Sequence, residues 1–138
     1  MTIFLDTNVL LYSISTADDE AAKRSKAIQL LDRPDCVLSI QVLQEFYVQA
    51  TRASRPNPLP HDTAVLLVAT WLRFPVQENT LAIFQAALEL RKTTGFAFWD
   101  CAIIAAAHAA DCSELYSEDM ADGRKIAGLR IVNPFRGL

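Results

Sequence analysis

The chain has 138 residues, 51% of them hydrophobic and 21% charged, with a formal net charge of −3. This length predicts one domain with its own hydrophobic core, over residues 1–138. The acidic balance disfavours a protein that holds nucleic acid only by neutralising phosphates, because such domains are usually basic. The sequence shows neither a membrane-spanning apolar stretch nor a secretory signal, so we expect a cytoplasmic protein with no membrane partner.

The first predicted elements are a strand, a turn and a helix. Residues 2–5 form an apolar run that ends at Asp6, and the helix-capping types Thr7 and Asn8 precede another apolar segment. Residues 18–31 predict a second helix, since apolar side chains at helical spacing follow an acidic first turn. Residues 36–40 are apolar and contain β-branched side chains, which indicates a buried strand.

The central part of the chain predicts mainly helices. A helix over residues 41–53 carries Glu45 on its polar face. The proline-containing residues 54–61 predict a connection to a helix over 62–74, and 75–77 predict a short strand. A helix over 80–94 ends near Gly95, because glycine accepts the left-handed conformation that is common at helix C-termini.

The last third completes an alternating pattern of strands and helices. Residues 99–110 predict a very apolar helix with Asp100 in its first turn, and buried strands follow at 114–117 and 130–132. The alternation predicts an α/β fold, a single three-layer domain with a central, mainly parallel sheet of four to five strands flanked by helices.

Four acidic side chains fall where such a sheet presents a ligand site. Asp6 and Asp119 each follow a predicted strand, so both should lie at the carboxyl edge of the sheet, where α/β proteins bind ligands. Asp100 and Glu45, each on a helix, can reach the same edge. Like charges brought together are unfavourable without a cation, and oxygen ligands suit Mg²⁺ or Mn²⁺. A metal site of this kind predicts hydrolysis of phosphodiester bonds.

Each acid also has a purely structural explanation. Asp6 and Asp100 can cap or complement a helix, Asp119 can form a turn, and Glu45 can be a solvated surface residue. The hypothesis therefore depends on the four acids as a set. Two further acids near Asp119, for which a surface turn is the simpler role, are Glu118 and Asp122.

The segments around these acids resemble a known family, the PIN domain. The similar segments are residues 4–10 (FLDTNVL), Glu45, residues 99–107 (WDCAIIAAA) and residues 115–120 (LYSEDM). Residues 128–135 (GLRIVNPF) are similar to the C-terminus of PIN toxins. The resemblance covers nearly the whole chain and includes all four acidic positions.

The resemblance implies a Mg²⁺- or Mn²⁺-dependent endoribonuclease, and for a stand-alone domain of this length it implies the VapC-type toxin of a type II toxin-antitoxin pair. Such toxins usually form homodimers, cleave transfer RNA or ribosomal RNA, and are silenced by a small VapB-type antitoxin. The helices over 41–53 and 62–74 are the candidates for the dimer face. Carried over by position, the catalytic and metal-binding acids would be Asp6, Glu45, Asp100 and Asp119, with Thr7, Asn8 and Ser117 as supporting groups.

Two other functions stay open on the sequence. A phosphatase or phosphotransferase would use Asp6 as its nucleophile, although such enzymes usually have a second aspartate where Asn8 stands. A non-catalytic PIN-like interaction module would keep the fold and hold a partner on its surface. Trp99, directly before Asp100, could wall the pocket. The basic residues that could guide RNA are Arg52, Arg55, Arg73, Arg91, Lys92, Arg124 and Lys125.

Overall fold

The computed structural model describes residues 2–138. The strands of this range are β1 (Ile3–Leu5), β2 (Cys36–Ser39), β3 (Val76–Gln77), β4 (Glu114–Tyr116), β5 (Lys125–Ile126) and β6 (Leu129–Val132). Its helices are α1 (Thr7–Ser13), α2 (Ala21–Leu31), α3 (Ile40–Thr51), α4 (His61–Trp71), α5 (Leu81–Thr94) and α6 (Phe98–Ala109). A short 3₁₀ turn, Asp18–Glu20, precedes α2.

The strands form one sheet in the order β3-β2-β1-β4-β6-β5. All neighbouring strands are parallel except β5 and β6, which form an antiparallel hairpin. Strand β1 lies between β2 and β4, so the loops that leave the carboxyl ends of these three strands emerge at the same edge of the sheet. The expected α/β class, with three layers and a mainly parallel sheet, is confirmed.

The core lies where the helices cover this sheet. Every residue of β1 and β2 is buried, as expected for parallel strands covered on both faces. Helix α6 buries a continuous run, Cys101–Ala107, and packs against α5 and several strands. No helix within residues 2–138 is long and apolar enough to cross a membrane.

The elements differ from the expected ones mainly at their ends. The predicted strand 36–40 stops at Ser39, because the Ser39 hydroxyl accepts a hydrogen bond from the Val42 N–H and caps α3. The predicted helix 18–31 is divided into the 3₁₀ turn and α2. The sheet has six strands instead of the expected four to five, because the two-residue strand β5 has no periodicity of its own and forms only by pairing with β6. Gly95 ends α5 with φ 74°, as its position predicts.

Candidate active site

Asp6 lies where β1 ends and α1 begins, and both of its carboxylate oxygens are held. One oxygen accepts from the Thr7 backbone N–H at 2.8 Å, and the other accepts from the Ser117 hydroxyl at 2.7 Å. The backbone N–H of Asp6 also donates to the Tyr116 carbonyl at 3.0 Å. The cap of α1 is therefore Asp6, not the predicted Thr7 or Asn8. Asp6 is 7% exposed, so a buried carboxylate is fixed at the carboxyl edge of the sheet.

Asp119 is held beside Asp6 by two of the predicted supporting groups. The Ser117 hydroxyl accepts from the Asp119 backbone N–H at 3.2 Å while it donates to Asp6. The Asn8 side-chain amide donates to the Asp119 carboxylate at 3.1 Å and contacts the Ser117 hydroxyl oxygen at 3.4 Å. A single hydroxyl group can make these bonds because it has one donor and two acceptor positions. The loop after β4 is thereby tied to the start of α1.

Glu45 and Asp100 approach from two other helices. The Thr7 hydroxyl donates to the Glu45 carboxylate at 3.2 Å, which links α1 to α3. One turn earlier on α3, the Gln41 amide nitrogen lies 3.4 Å from the same Glu45 oxygen. Asp100 lies in the first turn of α6, where the partial positive charge of a helix N-terminus favours an anion.

All four acids line one cavity of about 150 Å³, which we call the carboxylate cavity. Its other lining residues are Thr7, Asn8, Leu11, Gln49, Trp99 and Ile103. No lysine or arginine is among the described residues that line it. The structure thus brings together acids that are far apart in the chain, and it leaves their charges without a protein cation.

The electrostatics of the cavity show the cost of this arrangement. Burial raises the pKa of Asp6 from 3.8 to about 6, against the lowering effect of hydrogen bonds from Ser117 and Thr7. The nearby carboxylates of Glu45 and Asp119 contribute to this raised pKa, to a smaller degree than burial. Burial, and then the charge of Asp119, also raises the pKa of Asp100. The ionised cavity would be stabilised by a cation.

The donor chemistry fits hydrated Mg²⁺ or Mn²⁺. Within residues 2–138, no group of three or more acidic, histidine or cysteine side chains forms a ready-made metal site. Mg²⁺ does not require one, because it keeps several water ligands and commonly uses only one or two carboxylates. The polar groups that surround the cavity offer oxygen ligands and no thiolate or imidazole, so they suit a hard cation rather than zinc.

The other predicted charged residues lie outside the cavity. Glu118 forms an ion pair with Lys23 at 2.6 Å and accepts a hydrogen bond from Tyr12. Asp122 pairs with Arg136 at 2.9 Å. Both acids therefore have structural partners.

Two of the predicted basic residues line hollows beside the carboxylate cavity. Arg55 shares a neighbouring hollow with Asn8 and Asp119, and Arg52 lines the next hollow beyond it. Arg73 donates to the Leu31 carbonyl and has a role in packing. Sequence reasoning missed Gln41 and Gln49, whose only signal is their position one turn from Glu45 on the polar face of α3.

The chain is similar to proteins of known family and fold. The family model for the PIN domain matches residues 3–125, and no curated protein matches the chain. A chain in a toxin-antitoxin complex from Klebsiella pneumoniae is 22% identical with a TM-score of 0.69, over 98% of each chain. VapC20 of Mycobacterium tuberculosis, a sarcin-ricin loop cleaving toxin, is 22% identical with a TM-score of 0.67, over 86% of this chain and 90% of that one.

A third similar structure is VapBC2 from Rickettsia felis bound to a DNA fragment from their promoter. It is 17% identical with a TM-score of 0.66, over 95% of this chain and 97% of that one. At these identities, the structural likeness concerns the fold.

Proposed function

This chain belongs to the PIN domain family, and we propose that it is a metal-dependent endoribonuclease whose active site is the carboxylate cavity. PIN domains of VapC toxins are nucleases. The observation that carries the proposal is the convergence of Asp6, Glu45, Asp100 and Asp119 on one cavity lined by no basic side chain. The substrate is RNA, and the reaction is hydrolysis of its phosphodiester bonds.

Neighbouring side chains and backbone groups orient three of the four acids through hydrogen bonds. The Ser117 hydroxyl and the Thr7 N–H fix the carboxylate of Asp6. Asn8 and Ser117 hold Asp119. The Thr7 hydroxyl orients Glu45. The four acids would hold the cation, which when bound would polarise a water toward phosphorus and offset charge on the phosphate oxygens. Because these contacts come from α1 and the loop after β4, the carboxylates are oriented before substrate arrives.

The biological role proposed here is that of a toxin from a type II toxin-antitoxin pair, acting in the cytoplasm. Similar structures include toxin-antitoxin complexes, and one neighbour is described as a sarcin-ricin loop cleaving toxin. We therefore propose transfer RNA or ribosomal RNA as the substrate and a VapB-type antitoxin as the partner that silences it.

We also propose a homodimer formed through α3 and α4. Val48 is 61% exposed and Leu66 is 69% exposed, and Tyr47 and Val65 are exposed beside them. An apolar hollow of about 380 Å³ runs between the two helices. A contiguous apolar surface of this kind is typical of a protein contact.

The alternative with Asp6 as a phosphate-accepting nucleophile is less well supported. Both Asp6 oxygens accept hydrogen bonds, and Asn8 is committed to Asp119. This bonding suits a fixed metal ligand better than an attacking group.

Purified protein incubated with pooled transfer and ribosomal RNA tests the proposal. Cleavage should require Mg²⁺ or Mn²⁺, stop with chelator, and disappear in Asp6→Asn. The matched control is Asp111→Asn, because Asp111 is exposed, lies ahead of β4 at the opposite edge of the sheet, and has φ 55°, which asparagine also accepts. Cleavage that persists in chelator or in Asp6→Asn would refute the metal mechanism. Folded, metal-loaded protein that cuts no RNA would favour the interaction module.

A further inference from the structure

A second hollow lies against the carboxylate cavity and shares one wall with it. This hollow has a volume of about 320 Å³ and lies between the N-terminal ends of α3, α5 and α6. Trp99 lines both spaces. It directly precedes Asp100 on α6. We call this hollow the aromatic pocket and define it by Gln41, Gln44, Asn79, Phe84, Phe98 and Trp99.

Three aromatic rings form one side of the aromatic pocket. Phe98 packs edge-to-face against Phe84, with ring centroids 5.9 Å apart, and against Trp99, with centroids 5.1 Å apart. Trp99 is nevertheless 65% exposed and Phe84 is 49% exposed. The rings are therefore oriented by each other while much of their area remains open to a ligand.

Amide groups form the polar part of the same pocket. The buried Gln41 side chain donates to the Trp99 carbonyl at 3.2 Å, which ties α3 to the start of α6. The same amide nitrogen lies near Glu45, so Gln41 connects the wall of the pocket to the carboxylate cavity. Gln44 and Asn79 are exposed, and their side chains make no hydrogen bond to any other residue in the described range 2–138. These amides can donate to or accept from a bound group.

The charge of the two spaces differs completely. No acidic or basic side chain of the described chain lines the aromatic pocket, whereas four carboxylates line the cavity on the other side of Trp99. A ligand of the aromatic pocket should therefore be flat, uncharged and able to form hydrogen bonds. A nucleobase has all three properties, and aromatic side chains bind unstacked bases in this way.

We propose that the aromatic pocket binds one unstacked nucleobase of a single-stranded RNA segment, beside the phosphodiester bond that is cut. This inference rests on the proposed function, because in RNA the base of a nucleotide is joined closely enough to its phosphodiester bond to occupy the aromatic pocket while that bond lies in the carboxylate cavity. Stacking on Trp99 orients the nucleotide, and the amides of Gln41, Gln44 and Asn79 contact the edge of its base. Trp99 is thereby a positioning and specificity residue, while the acids perform the chemistry.

The exposed apolar residues nearby offer a second kind of occupant, another copy of the chain. Leu81 and Leu88 on α5 are exposed beside Phe84. A protein contact at this face would bury Trp99 and close the pocket. The concave shape, the amide groups and the wall shared with the carboxylate cavity favour the base, and the experiment below separates the two occupants.

Tryptophan fluorescence gives a readout of the pocket that does not require cleavage. The chain has two tryptophans, and Trp71 is buried, so quenching by an added ligand reports on Trp99. Short single-stranded RNA should quench this emission saturably in the Asp6→Asn protein with Mg²⁺ present. Adding Trp99→Ala should weaken binding about 10- to 100-fold, measured by anisotropy of labelled RNA, while Trp99→Phe should restore most of it. Ile28→Ala, which removes an exposed apolar side chain of α2 that lines neither the aromatic pocket nor the proposed dimer face, is the control and should leave binding unchanged.

Cleavage kinetics and sedimentation complete the test. In the otherwise unaltered chain, Trp99→Ala should raise KM more than it lowers kcat, and it should leave Mn²⁺ affinity unchanged. Equal RNA binding with and without Trp99 would overturn this inference while leaving metal-dependent cleavage intact. A dimer that becomes monomeric in Trp99→Ala would also overturn it, because the pocket would then be a subunit contact. Saturable Trp99 quenching without metal-dependent cleavage would instead overturn the proposed function.

Discussion

The carboxylate cavity and the aromatic pocket lie on the two sides of Trp99 but are built in opposite ways. In the cavity, Asp6, Glu45 and Asp119 are held by hydrogen bonds from Thr7, Asn8 and Ser117, and Asp6 is almost fully buried. The pocket has no charged side chain, and the rings of Phe84 and Trp99 and the amides of Gln44 and Asn79 are exposed, although Gln41 is buried and hydrogen-bonded. Under the two proposals, cleavage chemistry and substrate recognition depend on separate side chains, so mutations should affect them independently.

The largest expected effect comes from removing one charge from the cavity. Asp100→Asn should lower RNA cleavage more than about 100-fold, since even residues behind metal ligands contribute about 10- to 100-fold. Its melting temperature should stay the same or rise, because burial and Asp119 raise the pKa of Asp100 and so disfavour its charge. A cleavage assay measures the rate and calorimetry measures the melting temperature, with Asp111→Asn as the control. Unchanged cleavage by Asp100→Asn would contradict the claim that the acids of the cavity perform the cleavage.

A pH series should show that the cavity, and not the pocket, responds to metal. The pKa of Asp6 is raised from 3.8 in the unfolded chain to about 6 in the folded protein, so below pH 3.8 its carboxyl is protonated in both the folded and the unfolded state. Its contribution to folding stability is lost as pH rises through about 6, by up to about 3 kcal/mol. Mn²⁺ should offset this loss, and its effect on melting temperature should be larger at about pH 7.5 than at about pH 5.

The control for the pH series is Asp6→Asn, in which the dependence of the Mn²⁺ effect on pH should shrink. Trp99→Ala should behave like the unaltered chain. An Mn²⁺ effect that is equal at both pH values in the unaltered chain would contradict the assignment of Asp6.

The proposed dimer face can be tested by placing one charge on either of two helices. Leu66→Asp places a charge on the exposed apolar surface of α4 and should weaken dimerisation at least about 10-fold, measured by sedimentation velocity. Leu81→Asp on α5, with similar exposure, is the matched control and should leave the dimer intact. If Leu81→Asp separates the subunits and Leu66→Asp does not, the dimer face lies beside the aromatic pocket instead.

The smallest effect on Mn²⁺ binding and cleavage should come from removing an ion pair next to Asp119. The ion pair between Lys23 and Glu118 joins α2 to the segment that carries Asp119, but both side chains are about a quarter exposed. Such pairs contribute about 0–1 kcal/mol, so Lys23→Met should weaken Mn²⁺ binding and cleavage by no more than about 5-fold. Arg24→Met, an exposed neighbour without a salt bridge in the described structure, is the control. Loss of activity as large as in Asp100→Asn would show that Lys23 acts on the chemistry itself.

The sequence predicted the parts of the molecule that follow from local patterns and sheet geometry. Asp6 and Asp119 follow apolar strands, and parallel strands place their carboxyl ends at one edge. The pocket could not be predicted, because Gln41, Asn79, Phe84 and Trp99 come from separate helices and loops without a shared period. The resemblance names Ser117 as a supporting group, but no local pattern predicts that its hydroxyl holds the second oxygen of Asp6, because the two residues are 111 positions apart.

Whether the acids of the carboxylate cavity share a divalent ion can be measured as binding of Mn²⁺ to the unaltered protein in the absence of RNA, followed by electron paramagnetic resonance. The carboxylate cavity predicts saturable binding that is weakened more than about 100-fold in the Asp6→Asn, Asp100→Asn double variant and is unchanged in Asp111→Asn. Equal Mn²⁺ affinity in the unaltered protein and the folded double variant would contradict the claim that these acids share a divalent ion.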